Sequence, residues 1–149
     1  MVWPSGTGAE GRGVAVTTCM SGPASGRMDT LRPMPCLFCR VVAGEIPATK
    51  VIESERTFAF RDLHPTAPTH VLVVPKEHIE HAAAIGPEHA ALVAEMFVTA
   101  REVAEIDGIA ERGYRLIFNV GADSGNTVPH LHLHVVGGKP MGWPPFAPL

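Results

Sequence analysis

The sequence lacks the features that would tie it to a membrane or to nucleic acid. No apolar run approaches the roughly 20 residues that a helix needs to span a bilayer, and the N-terminus lacks the basic region and long apolar stretch of a secretory signal. The net charge is only −3, so electrostatics give no argument for binding nucleic acid or a membrane surface. We therefore expect partners of neither kind.

Cysteine is also scarce, with three residues in the chain, which do not make a disulfide framework. Cys36 and Cys39 form a C-x-x-C motif and leave Cys19 unpaired, a pattern that fits a reducing, cytoplasmic location. A C-x-x-C motif can be a redox pair, an ordinary buried pair, or half of a tetrahedral zinc site completed by two distant histidines. No thioredoxin-like β-α-β pattern surrounds it, which argues against the redox pair.

The chain divides into an irregular extension and a patterned domain. Residues 1–34 are rich in Gly, Ser, Pro and Thr without periodicity, which predicts a flexible extension. Met28 and Met34 lie in it, which raises the hypothesis that the natural start lies later than Met1. Residues 35–149 are predicted to form one domain, and the 46 % hydrophobic and 18 % charged composition of the chain indicates a globular protein with a real core.

The patterned part predicts an α+β fold on an antiparallel sheet, because short strands are joined by hairpins with one long helix between them. The short helix should end at Gly44, and the long helix should begin at Pro87 and end before Gly113. The predicted helices run from about residue 36 to residue 44 and from residue 87 to about residue 111, and the predicted strands are residues 50–54, 57–62, 69–74, 114–120 and 130–136.

Three histidines occupy alternate positions of the last predicted strand: His130, His132 and His134. Side chains repeat every two residues along a strand, so the three rings should share one face while apolar residues take the other. Neighbouring rings would be roughly 6.6 Å apart at the backbone and the outer two ~13 Å, so one metal could bind two but hardly all three. A solvated His-rich strand is one interpretation. The other interpretation is that the histidines have different catalytic roles, with His132 as a nucleophile and a neighbour binding oxygens or relaying a proton.

Other segments could complete a nucleotide site. The loop of residues 121–128 contains two glycines, Asn and Ser/Thr, and predicts either a hairpin connection or a phosphate cradle of backbone N–H groups. Asp62 ends a predicted strand and is either a loop cap or a ligand for ribose hydroxyls. An apolar slot for a base, or simply core, is predicted from Leu37, Phe38, Val41, Ile46 and Phe60.

These motifs together resemble the histidine triad superfamily, most closely its HINT-like branch, the nucleoside phosphoramidate hydrolases. The resemblance covers about residues 35 to 146. It is carried by His130-Leu-His132-Leu-His134-Val-Val, Cys36-Leu-Phe-Cys39, Gly44-Glu-Ile-Pro47, Ala67-Pro-Thr-His70, Pro75-Lys-Glu-His78 and Gly142-Trp-Pro-Pro145.

The resemblance implies a HIT-like fold, a five-stranded antiparallel sheet with one long and one short helix. It also implies a homodimer with a ten-stranded sheet, in which Trp143 belongs to a segment that shapes the partner's site. The implied activity is hydrolysis of purine nucleoside phosphoramidates of the AMP–amine type, through a nucleotidyl-histidine on His132. His134 would contact the phosphate, and His70 would support the site.

The same resemblance assigns binding roles by position. Asp62 and Leu63 match a ribose-contacting pair. Asn119 and the segment Gly125-Asn126-Thr127 match ribose and phosphate contacts, with Thr127 keeping a hydroxyl where animal members carry serine. A structural zinc ion is implied by likeness to related nucleotidyl transferases, with Cys36, Cys39, His78 and His130 as ligands. No redox or organic cofactor is implied.

Three alternatives remain at the level of sequence. The first is hydrolysis or phosphorolysis of dinucleoside polyphosphates on the same fold. The second is a metallohydrolase in which two strand histidines hold a metal-bound water. The third is a non-catalytic nucleotide-binding module in which zinc serves only folding.

Overall fold

The structure is a computed structural model that describes residues 36–142. In this range a five-stranded antiparallel sheet, in the order β1-β2-β3-β5-β4, lies between a short and a long helix. The helices are α1 (Leu37–Val42) and α2 (Ala90–Ile106), and the strands are β1 (Lys50–Glu53), β2 (Thr57–Arg61), β3 (Thr69–Pro75), β4 (Tyr114–Phe118) and β5 (Leu133–Gly137). The predicted α+β fold is confirmed. The predicted extension, Cys19 and Trp143 lie outside the described residues.

The central strand β3 separates two packed faces. All seven of its residues are buried, as expected for a strand covered on both sides. Val71 and Val73 belong to the core beneath α2, where Met96 is fully buried. Leu72 and Val74 point the other way, toward the cluster that contains α1. This alternation assigns each residue of β2, β3 and β5 to either the α2 face or the α1 face.

Register places the candidate residues on the α1 face. Leu72 lies opposite Phe60 on β2 and opposite His134 on β5. Residues that face each other across antiparallel strands share a side of the sheet, so His134, His70 and Phe60 point toward the α1 side. The sheet therefore supplies a flat platform for a site beside α1.

Both predicted ends of the long helix were wrong. The long helix ends at Ile106, not near residue 111, because Gly108 adopts the left-handed conformation (φ +66°) that closes a helix. Its first residues also differ, since Pro87–His89 form a separate 3₁₀ turn.

The last strand begins at Leu133, not at His130. The N–H of Leu131 donates to the Ile79 carbonyl at 2.6 Å, and the N–H of His130 donates to the Val128 carbonyl at 2.8 Å. These donors are therefore used by loops and not by the sheet. Of the three histidines only His134 is a strand residue.

No helix within residues 36–142 is both long enough and apolar enough to cross a membrane.

Candidate active site

The ring of His132 is held in one tautomer by the backbone just before it. Its Nδ1 lies 2.7 Å from the His130 carbonyl oxygen. A carbonyl only accepts hydrogen bonds, so Nδ1 carries the proton and Nε2 keeps its lone pair. The ring is mostly buried, contacts Phe38 edge-on with a centroid separation of 5.3 Å, and lines a cavity between α1 and the sheet. A buried imidazole with a free Nε2 facing a cavity is suited to nucleophilic attack or to accepting a proton.

His70 and His134 form a second, directed pair. The backbone N–H of Thr66 donates to His70 Nδ1 at 3.2 Å, so a neutral His70 ring carries its proton on Nε2. That proton points to His134 Nδ1, which is 2.9 Å away. His134 then has its own proton on Nε2, 3.4 Å from the side-chain nitrogen of Asn119, and rotation of the Asn119 carboxamide presents its oxygen to that proton.

The two triad rings therefore have complementary chemistry. His132 offers a lone pair at Nε2, and His134 offers an N–H at Nε2. Their centroids are 4.9 Å apart. A lone pair beside a hydrogen-bond donor suits attack on a phosphorus atom whose oxygen is bound by the neighbouring ring.

Burial keeps this donor uncharged. Desolvation is the largest cause that lowers the pKa of His134, to about 4, and the neighbouring His132 and His70 lower it further, while Asp62 raises it. Burial also lowers the pKa of His130. The hydrogen bond from its ring to the Pro75 carbonyl raises this pKa, but by less than burial lowers it. His134 is thus neutral at physiological pH, so its ring offers an N–H dipole and not a cation.

Asp62 joins this network at the end of β2. Its Oδ1 accepts the backbone N–H of His64 at 2.7 Å, and its Oδ2 lies 3.5 Å from His70 Nε2. The carboxylate lines the same cavity as His132. One carboxylate oxygen is thus fixed by a turn, and the other faces the histidine pair.

The cavity has a volume of about 300 Å³ and lies between α1 and the sheet. The predicted residues that line it are Phe38, Phe60, Asp62, Leu63, Thr127 and His132. Leu37, Val41 and Ile46 line it too, so the predicted apolar slot exists as an open space beside the core.

Two residues of the predicted phosphate loop lie elsewhere. Gly125 supplies a left-handed turn (φ +76°) and lines no cavity described here. Asn126 lines a second cavity of about 230 Å³ on the other side of the loop, together with His81 and Thr127. Within the described residues, its buried Oδ1 has no hydrogen-bond partner. Only Thr127 and Val128 border both cavities.

The two cysteines meet two histidines beside this site. Ligand atoms of Cys36, Cys39, His78 and His130 all lie within 4.8 Å of one another. The Cys36 Sγ and His130 Nδ1 atoms are 3.3 Å apart, and the Cys39 Sγ lies 3.4 Å from His78 Nδ1. His130 is fully buried and donates from Nε2 to the Pro75 carbonyl at 2.9 Å, which leaves Nδ1 free as a ligand.

These distances fit a tetrahedral metal ion. With metal–sulfur and metal–nitrogen bonds of about 2.3 and 2.05 Å, the sulfur–nitrogen edge of a tetrahedron is about 3.6 Å. The cluster therefore has both the donor set and the spacing of a structural metal site. Asp62, His70 and His134 also lie within 4.8 Å of one another, but the facing nitrogens of the two rings already share a hydrogen bond, which a metal would have to displace.

Sequence analysis missed two supporting groups, the backbone N–H of Thr66 and the carbonyl of Pro75. Both are main-chain atoms that any residue would supply at those places. Side-chain identity therefore carried no signal for them, and only the folded path of the chain reveals their role.

Comparison with known proteins gives consistent results. A family model described as the HIT domain matches residues 43–141. A purine nucleoside phosphoramidase of Escherichia coli is 40 % identical over 106 residues, covering 71 % of this chain and 89 % of that protein. An uncharacterised HIT-like protein of Synechocystis is 44 % identical over 109 residues, covering 73 % of this chain and 95 % of that protein.

A solved structure agrees with these sequence matches. The HIT family hydrolase of Legionella pneumophila superimposes with a TM-score of 0.73 at 46 % identity. The alignment covers 74 % of this chain and 99 % of that one.

The depressed pKa of His134 can be measured by an NMR titration of the imidazole nitrogens, assigned with a His134→Gln variant. We expect a midpoint near pH 4, and a lower one in Asp62→Asn because that carboxylate raises the pKa. Since the pKa in the folded state lies below that of an unfolded histidine, the fold should lose stability as the pH falls from about 6.5 to about 4. A midpoint at pH 6 or above would contradict the burial argument.

Proposed function

The chain belongs to the HIT domain family, and from this membership we propose that it hydrolyses purine nucleoside phosphoramidates of the AMP–amine type to a nucleoside monophosphate and an amine. The observation that carries the proposal is the hydrogen bond from His132 Nδ1 to the His130 carbonyl. It leaves Nε2 as an unprotonated nucleophile that borders a cavity.

In the first step, the Nε2 lone pair of His132 attacks phosphorus. The P–N bond breaks, and the amine leaves with the bonding electrons after its nitrogen takes up a proton from solvent. The ring is then a cationic nucleotidyl-imidazole, whose charge is stabilised by the Nδ1–H bond to a carbonyl. In the second step, water attacks phosphorus and loses a proton to solvent, and the Nε2–P bond breaks with its electron pair returning to Nε2. The products are a nucleoside monophosphate and the original tautomer of His132.

The surrounding groups fit the parts of a nucleotide. The apolar cavity holds a purine against a wall that includes Phe38 and Phe60, with Asp62 at its edge to bind the ribose hydroxyls and Leu63 beside it. The N–H of His134 and the hydroxyl of Thr127 bind phosphate oxygens. Asn119 and the turn at Gly125-Asn126 support this end of the site. His70 acts by fixing the tautomer of His134.

Charge near the cavity favours a single phosphate over a polyphosphate chain. Among the described residues that line the cavity, Arg61 is the only lysine or arginine, and its side chain points to the opposite face of the sheet. Its guanidinium is already paired with Asp107, with 2.7 Å between Nη2 and Oδ1. A long phosphate chain carries several charges that need cationic partners, and the described residues that line this cavity offer no unpaired one.

The reaction is tested by steady-state kinetics on an AMP–amine phosphoramidate and on a diadenosine polyphosphate. We expect the phosphoramidate to turn over faster, and a nucleotidyl adduct on His132 to be detected by mass spectrometry after rapid quenching. His132→Ala should lower kcat at least about a thousandfold, the scale seen when a covalent nucleophile is removed.

The control is His89→Ala, which removes an imidazole that borders none of the cavities and should leave kcat unchanged. Faster turnover of the polyphosphate overturns the assignment to P–N bonds. Retained activity in His132→Ala overturns the covalent step.

We also propose that the Cys36, Cys39, His78 and His130 cluster binds one structural zinc ion. The bound ion would serve as a cross-link that joins α1 to the segment before β5. Because His130 also carries the carbonyl that orients His132, such a cross-link would help to hold that carbonyl in place.

The zinc proposal predicts about one zinc per chain by elemental analysis of protein purified without chelators. Cys39→Ser should lose most of the metal and melt at a lower temperature, because removing a ligand removes binding energy that stabilises the fold. Cys19→Ser is the matched control, since no ligand role is assigned to that thiol. Metal-free protein with an unchanged melting temperature in Cys39→Ser would rule the site out.

Finally, we propose a homodimer in which β4 pairs with its copy to form a ten-stranded sheet. The two edge strands differ: β1 has an irregular register and begins at a lysine, whereas β4 pairs regularly over five residues. Open regular edges invite pairing. Beside β4, Phe97 is 46 % exposed and contacts Phe118 edge-on, which extends the edge with apolar surface.

Sedimentation equilibrium should show a dimer that Phe97→Glu weakens at least about tenfold, as expected for a charge placed in an apolar interface. Leu37→Glu is the matched control, because Leu37 is also 46 % exposed but lies on α1. A wild-type monomer at micromolar concentration contradicts the proposal, and so does equal weakening by both variants.

A further inference from the structure

One carboxylate on the α2 side of the sheet holds both residues that precede the site residues Asp62 and His70. Asp107 binds the Arg61 guanidinium through both carboxylate oxygens, with Nη2 to Oδ1 at 2.7 Å. It also accepts the Thr69 hydroxyl at 2.8 Å. A single side chain thus ties the last residue of β2 to the first residue of β3.

Strand geometry carries this constraint through the sheet. Successive residues of a strand point to opposite faces, so Arg61 and Thr69 face α2 while Asp62 and His70 face the cavity side. The backbone joins the same positions, because the N–H of Asp62 donates to the His70 carbonyl at 3.0 Å. Holding the side chains of residues 61 and 69 on the α2 face therefore also fixes the positions of residues 62 and 70 on the cavity face.

The position of Asp107 does not stabilise its own helix. It is the C-cap of α2, where the helix dipole disfavours a negative charge. Its side chain is only 7 % exposed. Arg61 is the main cause that lowers its pKa, so the carboxylate is ionised where it lies. A buried carboxylate at an unfavourable helix end is retained here by its bonds to β2 and β3.

We propose that Asp107 is a positioning residue of the nucleotide site. By holding Arg61 and Thr69, it sets the 3.5 Å separation of Asp62 Oδ2 from His70 Nε2 and the 2.9 Å bond from His70 to His134. This inference rests on the proposed function, which gives Asp62 and His70 their roles toward ribose and phosphate.

The molecule provides a matched control on the same helix. Glu95 of α2 binds the Arg56 guanidinium, with Nε to Oε2 at 2.7 Å, and also accepts the Ser54 hydroxyl. It copies the chemistry of Asp107 but holds the turn between β1 and β2, at the opposite end of β2 from Asp62. Loss of either carboxylate should destabilise the fold, but only loss of Asp107 should weaken nucleotide binding.

The test compares Asp107→Asn with Glu95→Gln in the full chain. The measurements are AMP affinity by calorimetry, kcat and KM for an AMP–amine phosphoramidate, and melting temperature. In Asp107→Asn we expect AMP affinity to fall and KM to rise about tenfold, within the range that a small misplacement costs, with a smaller change in kcat. In Glu95→Gln we expect AMP affinity and KM to stay within about twofold at a similar loss of melting temperature.

Substitutions of Thr69 test the second hydrogen bond of Asp107, the one from the Thr69 hydroxyl. Thr69→Val should weaken AMP binding in the same direction, and Thr69→Ser, which keeps the hydroxyl, should restore it. These variants also decide the matter if Asp107→Asn does not fold.

The proposal is overturned if AMP affinity in Asp107→Asn matches the wild type or falls no further than in Glu95→Gln. If the wild type binds AMP but does not cleave the phosphoramidate, the proposed reaction fails, while the comparison of AMP affinities still decides the role of Asp107. If the wild type does not bind AMP, both fail.

Discussion

The hydrogen bond between His132 Nδ1 and the His130 carbonyl is the contact on which the rest of the site depends. It fixes the proton of the central ring on Nδ1, and therefore leaves the lone pair on Nε2 of a ring that lines the cavity. The same segment holds its own position by other means. The ring of His130 is buried and bonds to the Pro75 carbonyl, and its Nδ1 belongs to the cysteine–histidine cluster. The His132 ring is thus oriented by a backbone atom whose residue is anchored on two sides.

A second chain of hydrogen bonds gives His134 the opposite role. It starts at the backbone of Thr66, passes through His70, and leaves His134 with a proton on the nitrogen that faces Asn119. Burial keeps that ring neutral. Two chemically identical side chains, two residues apart, become an acceptor and a donor because their partners differ. The two rings therefore differ in hydrogen-bonding role without either of them having to carry a charge.

Much of this could be read from the sequence, and the remainder could not for physical reasons. Alternation of polar and apolar residues located the sheet, and the resemblance to the histidine triad superfamily supplied the two histidines that join the C-x-x-C motif. Alternation alone also placed His130 and His132 on the last strand, which was wrong, because the backbone N–H groups of His130 and Leu131 bond to loops and the strand begins only at Leu133. The tautomers depend on main-chain atoms of Thr66 and His130, and a residue pattern does not encode the path of the backbone. The contacts of Asp107 were equally hidden, since Arg61 and Thr69 are distant from it in sequence.

The account makes one claim that a single measurement tests most directly: the neutral ring of His132 is protonated at Nδ1. Nitrogen-15 NMR of the histidine side chains at neutral pH distinguishes a protonated from an unprotonated ring nitrogen. The account predicts that His132 shows a proton on Nδ1 and an unprotonated Nε2 before any nucleotide is added. A His132 ring protonated at Nε2 would contradict it, because the lone pair would then face the backbone and not the cavity.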